Sequence, residues 1–260
     1  MKVLALESAT DLVGAALARD GSVAERSHLG GRAHAELLAP AIEEVCALSG
    51  CALGDLDALA VDVGPGLFTG LRVGVATAKA LGQALSLGVL GVSSLDVLAA
   101  GAYEAAPGAR SARVVAVVDA RRGEVFAAAY RAGADGGGPD GPDPADVRAD
   151  RAGALTPEDL LQWCDDLAQA GPVLVVGDGA VRYLELLAPR PGLDVGLVQT
   201  VAAPSPAALV RLAVRRLAAG AAPLAAADIV PDYRRPADAR INWEERAPQR
   251  TAPRPPASRP

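Results

Sequence analysis

The chain has 260 residues, 51% of them hydrophobic, and a formal net charge of −6. This length and composition allow one large core or two modest ones, and the length favours two domains. The negative charge argues against a broad nucleic-acid surface, which would show clustered basic residues. No apolar run reaches the roughly 18 to 20 residues of a membrane helix, and Glu7 comes too early for a signal peptide. We therefore expect a cytoplasmic protein with no membrane contact.

The first half of the sequence predicts three strands followed by alternating helices and strands. Asp20-Gly21 predicts the hairpin between the second and third strands. One helix is predicted to end at Gly50 and to bend at Pro40. The predicted elements are strands 3–6, 12–19 and 22–28, helix 33–49, strand 59–63, helix 70–85, strand 89–92 and a helix capped by Ser93 or Ser94. The apolar arc of helix 33–49 comprises Leu37, Leu38, Ala41, Ile42, Val45 and Leu48.

The second half begins the same order again. It predicts strands 114–118 and 124–130, a surface loop over 135–146, a helix that begins at Thr156-Pro157, strand 173–176, helix 180–187, strand 195–198 and a helix from Ser205-Pro206 to Gly220. A third paired strand in this half would complete the repeat, but the pattern does not locate it. Beyond Ala247 the proline and arginine content predicts a disordered tail or a linker.

This order of elements predicts an α/β protein with two ribonuclease-H-like halves, each with a mixed sheet flanked by helices, the plan shared by actin, Hsp70 and sugar kinases. We expect an N-terminal half over residues 1–102, a C-terminal half over 103–224 and a C-terminal segment over 225–260. The three cysteines, Cys46, Cys51 and Cys164, have no C-x-x-C spacing. We therefore expect neither a disulfide framework nor a zinc site.

A glycine-rich loop joins predicted strand 59–63 to predicted helix 70–85. Gly64, Gly66 and Gly70 permit backbone angles that other residues avoid, so this loop could present N–H groups beside a helix N-terminus, where an anion would fit. The loop has neither the Walker A pattern nor the G-x-G-x-x-G dinucleotide pattern. A tight strand-to-helix turn without a ligand is the alternative.

The full string from Gly64 to Lys79, GPGLFTGLRVGVATAK, is more specific than its glycines and resembles the signature of the bacterial TsaB family, formerly called glycoprotease-like YeaZ. Four other strings resemble the same family, and together they extend the resemblance from Val3 to about Pro236. They are LALESAT over residues 4–10, with Glu7 where the family usually has aspartate, HAELL over 34–38, DARRGEVF over 119–126 and PDYRR over 231–235.

The resemblance implies a non-catalytic subunit of the complex that forms threonylcarbamoyladenosine on tRNA next to the anticodon. Its implied partners are a TsaD-type catalytic paralogue in a heterodimer, a TsaE-type ATPase and, through the complex, tRNA. Whether the isolated chain is a monomer or a homodimer stays open. The implied partner interface lies on the two helices 33–49 and 70–85 and comprises His34, Glu36, Leu37, Ala41, Gly70, Arg72, Gly74 and Ala78.

Two turns that match the family could hold a phosphate, and the candidate ligand is ATP or ADP with Mg²⁺. We expect the chain to have no cofactor of its own, no metal site and no catalytic residue. The candidate nucleotide-binding residues are Glu7, Ser8, Thr10, Gly66, Thr69, Asp119, Arg121 and Glu124. If the halves face each other, Glu7 and Asp119 could share the magnesium ion of a nucleotide. Alternatively, the hydroxyls bond their own backbone, and Asp119 and Glu124 pair with Arg121 or Arg122.

In the related catalytic family of this pathway a His-x-x-x-His pair holds a metal, whereas the corresponding stretch here, Val92 to Leu98, has no histidine. A rival hypothesis is a metal-dependent ribonuclease-H-like nuclease or a phosphotransferase, since Glu7 and Asp62 could meet on adjacent strands. No third carboxylate is identifiable for that chemistry.

The direction of one helix stripe is also open. Gly70, Gly74 and Ala78 could let a partner helix approach closely, or they could pack against helix 33–49 of the same chain.

Overall fold

The structure is a computed structural model that describes residues 1–31, 33–106, 111–131 and 154–234. The first half contains a five-stranded mixed sheet. Its strands form where short apolar runs occur between turn residues along the chain. Its strands are β1 (Lys2–Glu7), β2 (Leu12–Arg19), β3 (Ser22–Leu29), β4 (Ala58–Gly64) and β5 (Val89–Ser93), in the order β3-β2-β1-β4-β5. β1, β2 and β3 pair antiparallel, whereas β1, β4 and β5 pair parallel. Asp20 and Gly21 form the predicted hairpin turn, both with positive φ.

Helices cover both faces of this sheet. They are α1 (His34–Ser49) and α2 (Phe68–Leu85) on one face and α3 (Ser94–Ala105) on the other. Successive residues of β1 alternate between the faces, so that Leu4 and Leu6 pack under α1 and α2 while Val3 and Ala5 face the opposite side. Leu48 lies on the predicted apolar arc of α1 but is 54% exposed, so the buried arc ends at Val45.

The second half contains a four-stranded sheet in the described residues. Its strands are β6 (Arg113–Arg121), β7 (Glu124–Tyr130), β8 (Val173–Val176) and β9 (Leu193–Asp194), in the order β7-β6-β8-β9, and its helices are α4 (Pro157–Ala168), α5 (Asp178–Arg182), α6 (Leu184–Leu187) and α7 (Pro206–Ala218). The predicted caps Ser93, Thr156 and Ser205 each accept a backbone N–H at the start of a helix. The α/β architecture with two mixed sheets is confirmed.

Two helices join the halves. α3 contributes Val97 and Ala100 to the core of the first half and Leu95 and Leu98 to the core of the second. α7 follows the second sheet in the chain but packs on the first sheet, where Leu209 and its neighbours lie beside β1 and β2. The halves therefore share a continuous apolar interface.

Two predictions in the second half are wrong. The predicted strand 195–198 is a turn in which the Val198 N–H donates to the Val195 carbonyl, and the strand lies at Leu193–Asp194 instead. The predicted helix 180–187 is two short helices that meet at Tyr183. Apolar residues of both segments, such as Leu187 and Val198, are buried in the core. Their spacing therefore resembles that of a regular helix or strand.

Leu155 makes an isolated antiparallel bridge to Val125 of β7. The loop predicted at 135–146 lies outside the described residues. The predicted tail beyond Ala247 lies outside them as well. No helix among the described residues has the length and apolar character needed to cross a membrane.

After α7 the chain returns to the first half. Leu224 exchanges two backbone hydrogen bonds with Val89 of β5, and the Asp232 N–H donates to the Val63 carbonyl at 2.7 Å. Between these points Ala226 and Ile229 are buried in the core beneath α2. We call residues 221–234 the C-terminal strap, because they bond to strands β4 and β5 of the first sheet and pack against α2.

Candidate functional site

The glycine loop is packed against the turn that follows β1. The N–H of Leu67 donates to the carbonyl of Ala9 at 2.6 Å. A Cβ at Gly66 would lie 2.1 Å from that same carbonyl oxygen, and a Cβ at Gly70 would lie 2.0 Å from the carbonyl oxygen of Ser8. Gly66 and Gly70 are therefore required because two segments of this chain come into close contact here. This arrangement agrees with the tight turn without a ligand and not with an open anion site.

Hydroxyl groups in the first turn bond to backbone of the chain itself. The Ser8 hydroxyl donates to the carbonyl of Gly70 at 2.9 Å, and the Thr10 hydroxyl accepts the N–H of Leu12 at 3.3 Å. The ring of His34 is buried and its Nε2 donates to the carbonyl of Thr10 at 2.7 Å. Thr69, in the first turn of α2, is exposed.

Glu7 and Asp62 form a buried carboxyl pair at the ends of the adjacent strands β1 and β4. Both side chains are 0% exposed. Glu7 Oε1 accepts the Ala9 N–H at 2.8 Å, and Asp62 Oδ1 accepts both the Gly64 N–H at 2.7 Å and the Ser94 hydroxyl at 2.6 Å. The second oxygen of each carboxyl group has no donor from any other described residue.

Burial raises the pKa of both carboxyl groups in this pair. Loss of solvation, together with the charge of Asp62, raises the pKa of Glu7 well above its usual value. Burial also raises the pKa of Asp62 to about 6, although hydrogen bonds from Glu7, Ser94 and Gly64 act against this rise. The pKa of each group is raised because lost solvation and mutual repulsion oppose the ionisation of two carboxyl groups side by side. One proton shared by the pair leaves a single negative charge in this buried position, which the raised pKa values of both groups favour.

Asp119 lies in the matching turn of the second half and is neutralised by arginines. Arg182 donates to its Oδ2 at 2.9 Å, and Arg121 lies 3.3 Å from the same oxygen. Arg121 also reaches Asp11 of the first half at 3.6 Å. Glu124 begins β7 and also has an interaction partner.

The hypothesis that Glu7 and Asp119 share a magnesium ion does not fit this arrangement. Each carboxyl group is engaged within its own half, Glu7 with Asp62 and Asp119 with Arg121 and Arg182. Glu7 and Asp62 do meet, as the nuclease hypothesis requires. However, they are fully buried, and the described residues contain no group of three or more metal-binding side chains. The residues therefore fit a proton between two carboxyls better than an exchangeable metal ion.

Five of the eight predicted interface residues face inward, which corrects the prediction for them. A Cβ at Gly74 would lie 2.3 Å from Ser8 Oγ and 3.6 Å from Val61 of β4. The small-residue stripe therefore faces the first turn and the sheet beneath α2. Glu36 and Arg72 are exposed and Leu37 is half-buried, so these three remain available at the surface. The five inward-facing residues are His34, Ala41, Gly70, Gly74 and Ala78.

An exposed alanine face runs along the same two helices. On α2 it consists of Ala76, Ala80 and Ala84, spaced four residues apart, and on α1 of Ala35 and Ala39. α1 and α2 pack side by side on one sheet face. The four-residue repeat of alanines on α2 is present in the sequence. The sequence leaves the direction of the glycine stripe open, and the structure places Gly70, Gly74 and Ala78 on the inner side of α2.

Together, the two mixed sheets, their flanking helices and the two equivalent turns define a two-halved protein of the ribonuclease-H-like class. Comparison with solved structures gives YeaZ from Pseudomonas aeruginosa, with a TM-score of 0.69 and 31% identity over 89% of this chain and 99% of that chain. The chain belongs to the TsaB/YeaZ family.

Several curated relatives carry the name tRNA threonylcarbamoyladenosine biosynthesis protein TsaB. The Escherichia coli protein is 39% identical over 131 residues, 50% of this chain and 55% of that protein. The Bacillus subtilis protein is 29% identical over 252 residues, 94% of this chain and 99% of that protein. The chain thus spans about half the length of the Escherichia coli relative. Residues 25–144 also match the family model of TsaD, tRNA N6-adenosine threonylcarbamoyltransferase.

Proposed function

We propose that this chain is an accessory subunit in the formation of threonylcarbamoyladenosine on tRNA. It binds a TsaD-type catalytic paralogue and supports transfer of the threonylcarbamoyl group to the adenosine next to the anticodon. A TsaE-type ATPase and the tRNA join through the complex. The single observation that carries the proposal is the TsaB/YeaZ family membership, with relatives named for threonylcarbamoyladenosine biosynthesis.

The chemistry of the site supports a non-catalytic role. The stretch from Val92 to Leu98, where the catalytic family has its histidine pair, has no histidine, and Ser94 in this stretch donates to Asp62. His34 is buried against the Thr10 carbonyl and the Ser8 hydroxyl donates to a backbone carbonyl, so neither is arranged as a nucleophile with its base. The family name that mentions a peptidase thus has no chemical support among the described residues.

The exposed alanine face of α1 and α2 is the surface that we assign to the paralogue. Helix axes approach to about 8–10 Å depending on the side chains between them, and alanine permits the closer distances. This face replaces the inward stripe that the sequence suggested. A nucleotide is not assigned to the turns that contain Glu7 and Asp119, because both carboxyl groups are already engaged.

Association with the purified paralogue tests this assignment by size-exclusion chromatography with light scattering. We expect a complex with the unaltered chain and none with Ala76→Arg or Ala80→Arg, while both variants keep the melting temperature because the positions are exposed. The matched control is Ala188→Arg, an exposed alanine of the second half. Full association of both α2 variants would show that the face is not the partner surface.

A further inference from the structure

A cluster of two aromatic rings and one guanidinium group lies on the surface where α2 begins. The Cζ of Arg72 is 3.8 Å from the ring centroid of Phe68, and the rings of Phe68 and Tyr233 are 5.3 Å apart between centroids. The Nε of Arg72 donates to the Tyr233 hydroxyl at 3.2 Å. The two rings are nevertheless 43% and 45% exposed.

The C-terminal strap holds Tyr233 in this position. The preceding residue, Asp232, is bonded to Val63 of β4, and four residues before Tyr233 the Ile229 side chain is 2% exposed. The Nζ of Lys79 donates to the carbonyl of Ala227 at 2.9 Å, which ties the strap to the middle of α2. A guanidinium group that is stacked on one ring and bonded through Nε has lost much of its conformational freedom before any partner arrives.

Arg72 has no carboxylate partner in the part of the chain that the structure describes, whereas nearby Arg234 is paired with Asp232 at 2.9 Å. Its two terminal nitrogens form the end of a planar fork that matches a carboxylate. Arginine and tyrosine are also the residue types that dominate binding energy when they lie at the centre of an interface. The cluster therefore has the chemistry of an anchor that lacks its acidic counterpart.

The cluster continues the alanine face. Phe68, Arg72, Ala76, Ala80 and Ala84 are spaced four residues apart and are all exposed, so they form one ridge along α2. The large residues lie at its N-terminal end and the small residues at its C-terminal end. A helix packed over the alanines would therefore extend towards the cluster.

We infer that Phe68, Arg72 and Tyr233 anchor the catalytic paralogue by receiving a carboxylate side chain of that protein on Arg72. This inference rests on the proposed function, which supplies the partner. A protein carboxylate fits better than a nucleic-acid phosphate, because the chain has a net charge of −6 and the cluster offers one cation without a carboxylate, whereas phosphate-binding surfaces use several.

The test measures the dissociation constant of the complex with the paralogue by calorimetry at two salt concentrations. We expect Arg72→Gln to weaken association by about tenfold or more, since the partner's carboxylate loses its counter-charge on desolvation. Arg72→Lys keeps the charge but not the fork and should also weaken association. Tyr233→Phe, which loses only the orienting hydroxyl, should give a smaller loss. Arg72→Gln should also show a weaker salt dependence than the unaltered chain.

Arg190→Gln is the matched control, because Arg190 is a partly exposed arginine of the second half and should leave association unchanged. If Arg72→Gln binds the paralogue as tightly as the wild-type chain does, the inference about the anchor is wrong, but the proposed function is not contradicted. Failure of the wild-type chain to bind contradicts the proposed function itself. If Arg72→Gln binds the paralogue normally but the complex loses affinity for tRNA, the cluster receives a phosphate and the inference is wrong.

Discussion

The contact between Ser8 and Gly74 predicts how α2 responds to a single added methyl group. In Gly74→Ala the new Cβ would lie 2.3 Å from Ser8 Oγ, so the hydroxyl must move and lose its bond to the Gly70 carbonyl. Overpacking of this kind costs about 1–3 kcal/mol. Replacing glycine by alanine inside a helix returns about 1 kcal/mol. We therefore expect Gly74→Ala to lower the free energy of unfolding by up to about 2 kcal/mol.

The same geometry predicts a rescue. The group that meets the new methyl is the end of a small side chain, so Ser8→Ala should remove the overlap and make Gly74→Ala neutral or stabilising in that background. No such rescue is expected for Gly70→Ala, whose Cβ would lie 2.0 Å from the Ser8 carbonyl oxygen. That oxygen belongs to the backbone and remains when Ser8 is changed.

Urea denaturation of the two single variants and the double variant measures this coupling as a double-mutant cycle. A coupling free energy of about 1 kcal/mol or more is expected between Ser8 and Gly74. Equal losses from Gly74→Ala in both backgrounds would refute the inward orientation of the stripe. A large rescue of Gly70→Ala by Ser8→Ala would contradict the backbone contact.

Three further outcomes are expected. Asp62→Asn should raise the melting temperature at pH 8. It should also reduce the decline in melting temperature that accompanies a rise in pH from about 4 to 6. The reason is that Asp62, with a folded pKa of about 6, takes up a proton on folding, and this stabilisation is lost as the pH rises. Part of the decline should remain in the variant, since burial also raises the pKa of Asp178 to about 6. A lower melting temperature at pH 8 with an unchanged decline would contradict the shared proton. Elemental analysis of the purified chain should find no stoichiometric zinc, and any such zinc would contradict the cysteine and histidine arguments. Deleting residues 247–260 should leave the melting temperature unchanged, and a drop of several degrees would show that the tail contributes to the fold.

Local patterns predicted most of the elements, because strand alternation, helix periodicity and caps are written in neighbouring residues. The hairpin at Asp20-Gly21 and the cap at Thr156 are examples, and both agree with the structure. The turn at 195–198 resembles a strand in sequence because Val198 is buried and Val195 and Leu197 are half-buried. Burial alone does not separate a strand from a packed turn.

Contacts between distant segments were harder to predict. The meeting of Glu7 and Asp62 followed from the carboxyl ends of neighbouring strands, but no local pattern indicated that Ser94 would bond to the pair. A small-residue stripe permits close approach from inside or outside. Only the position of Ser8 reveals that Gly70 and Gly74 face inward.

The position of the C-terminal strap was likewise not encoded locally. Its apolar residues, such as Leu224 and Ile229, lie in short runs between Pro223, Asp228 and Pro231 and give no helical or strand period. The strap matters for the site because it brings Tyr233 to Arg72 across 161 positions of sequence. Sequence resemblance had marked both strings without indicating that they touch.

The role of a non-catalytic supporting subunit is tested most directly by reconstituting the tRNA modification from purified components. Threonylcarbamoyl-adenylate and tRNA are incubated with this chain alone, with the catalytic paralogue and ATPase alone, and with all three proteins, and threonylcarbamoyladenosine is measured by mass spectrometry of digested tRNA. We expect no product from this chain alone. Product should require the paralogue and should increase when this chain is added. Modified tRNA formed by this chain without the paralogue would contradict it.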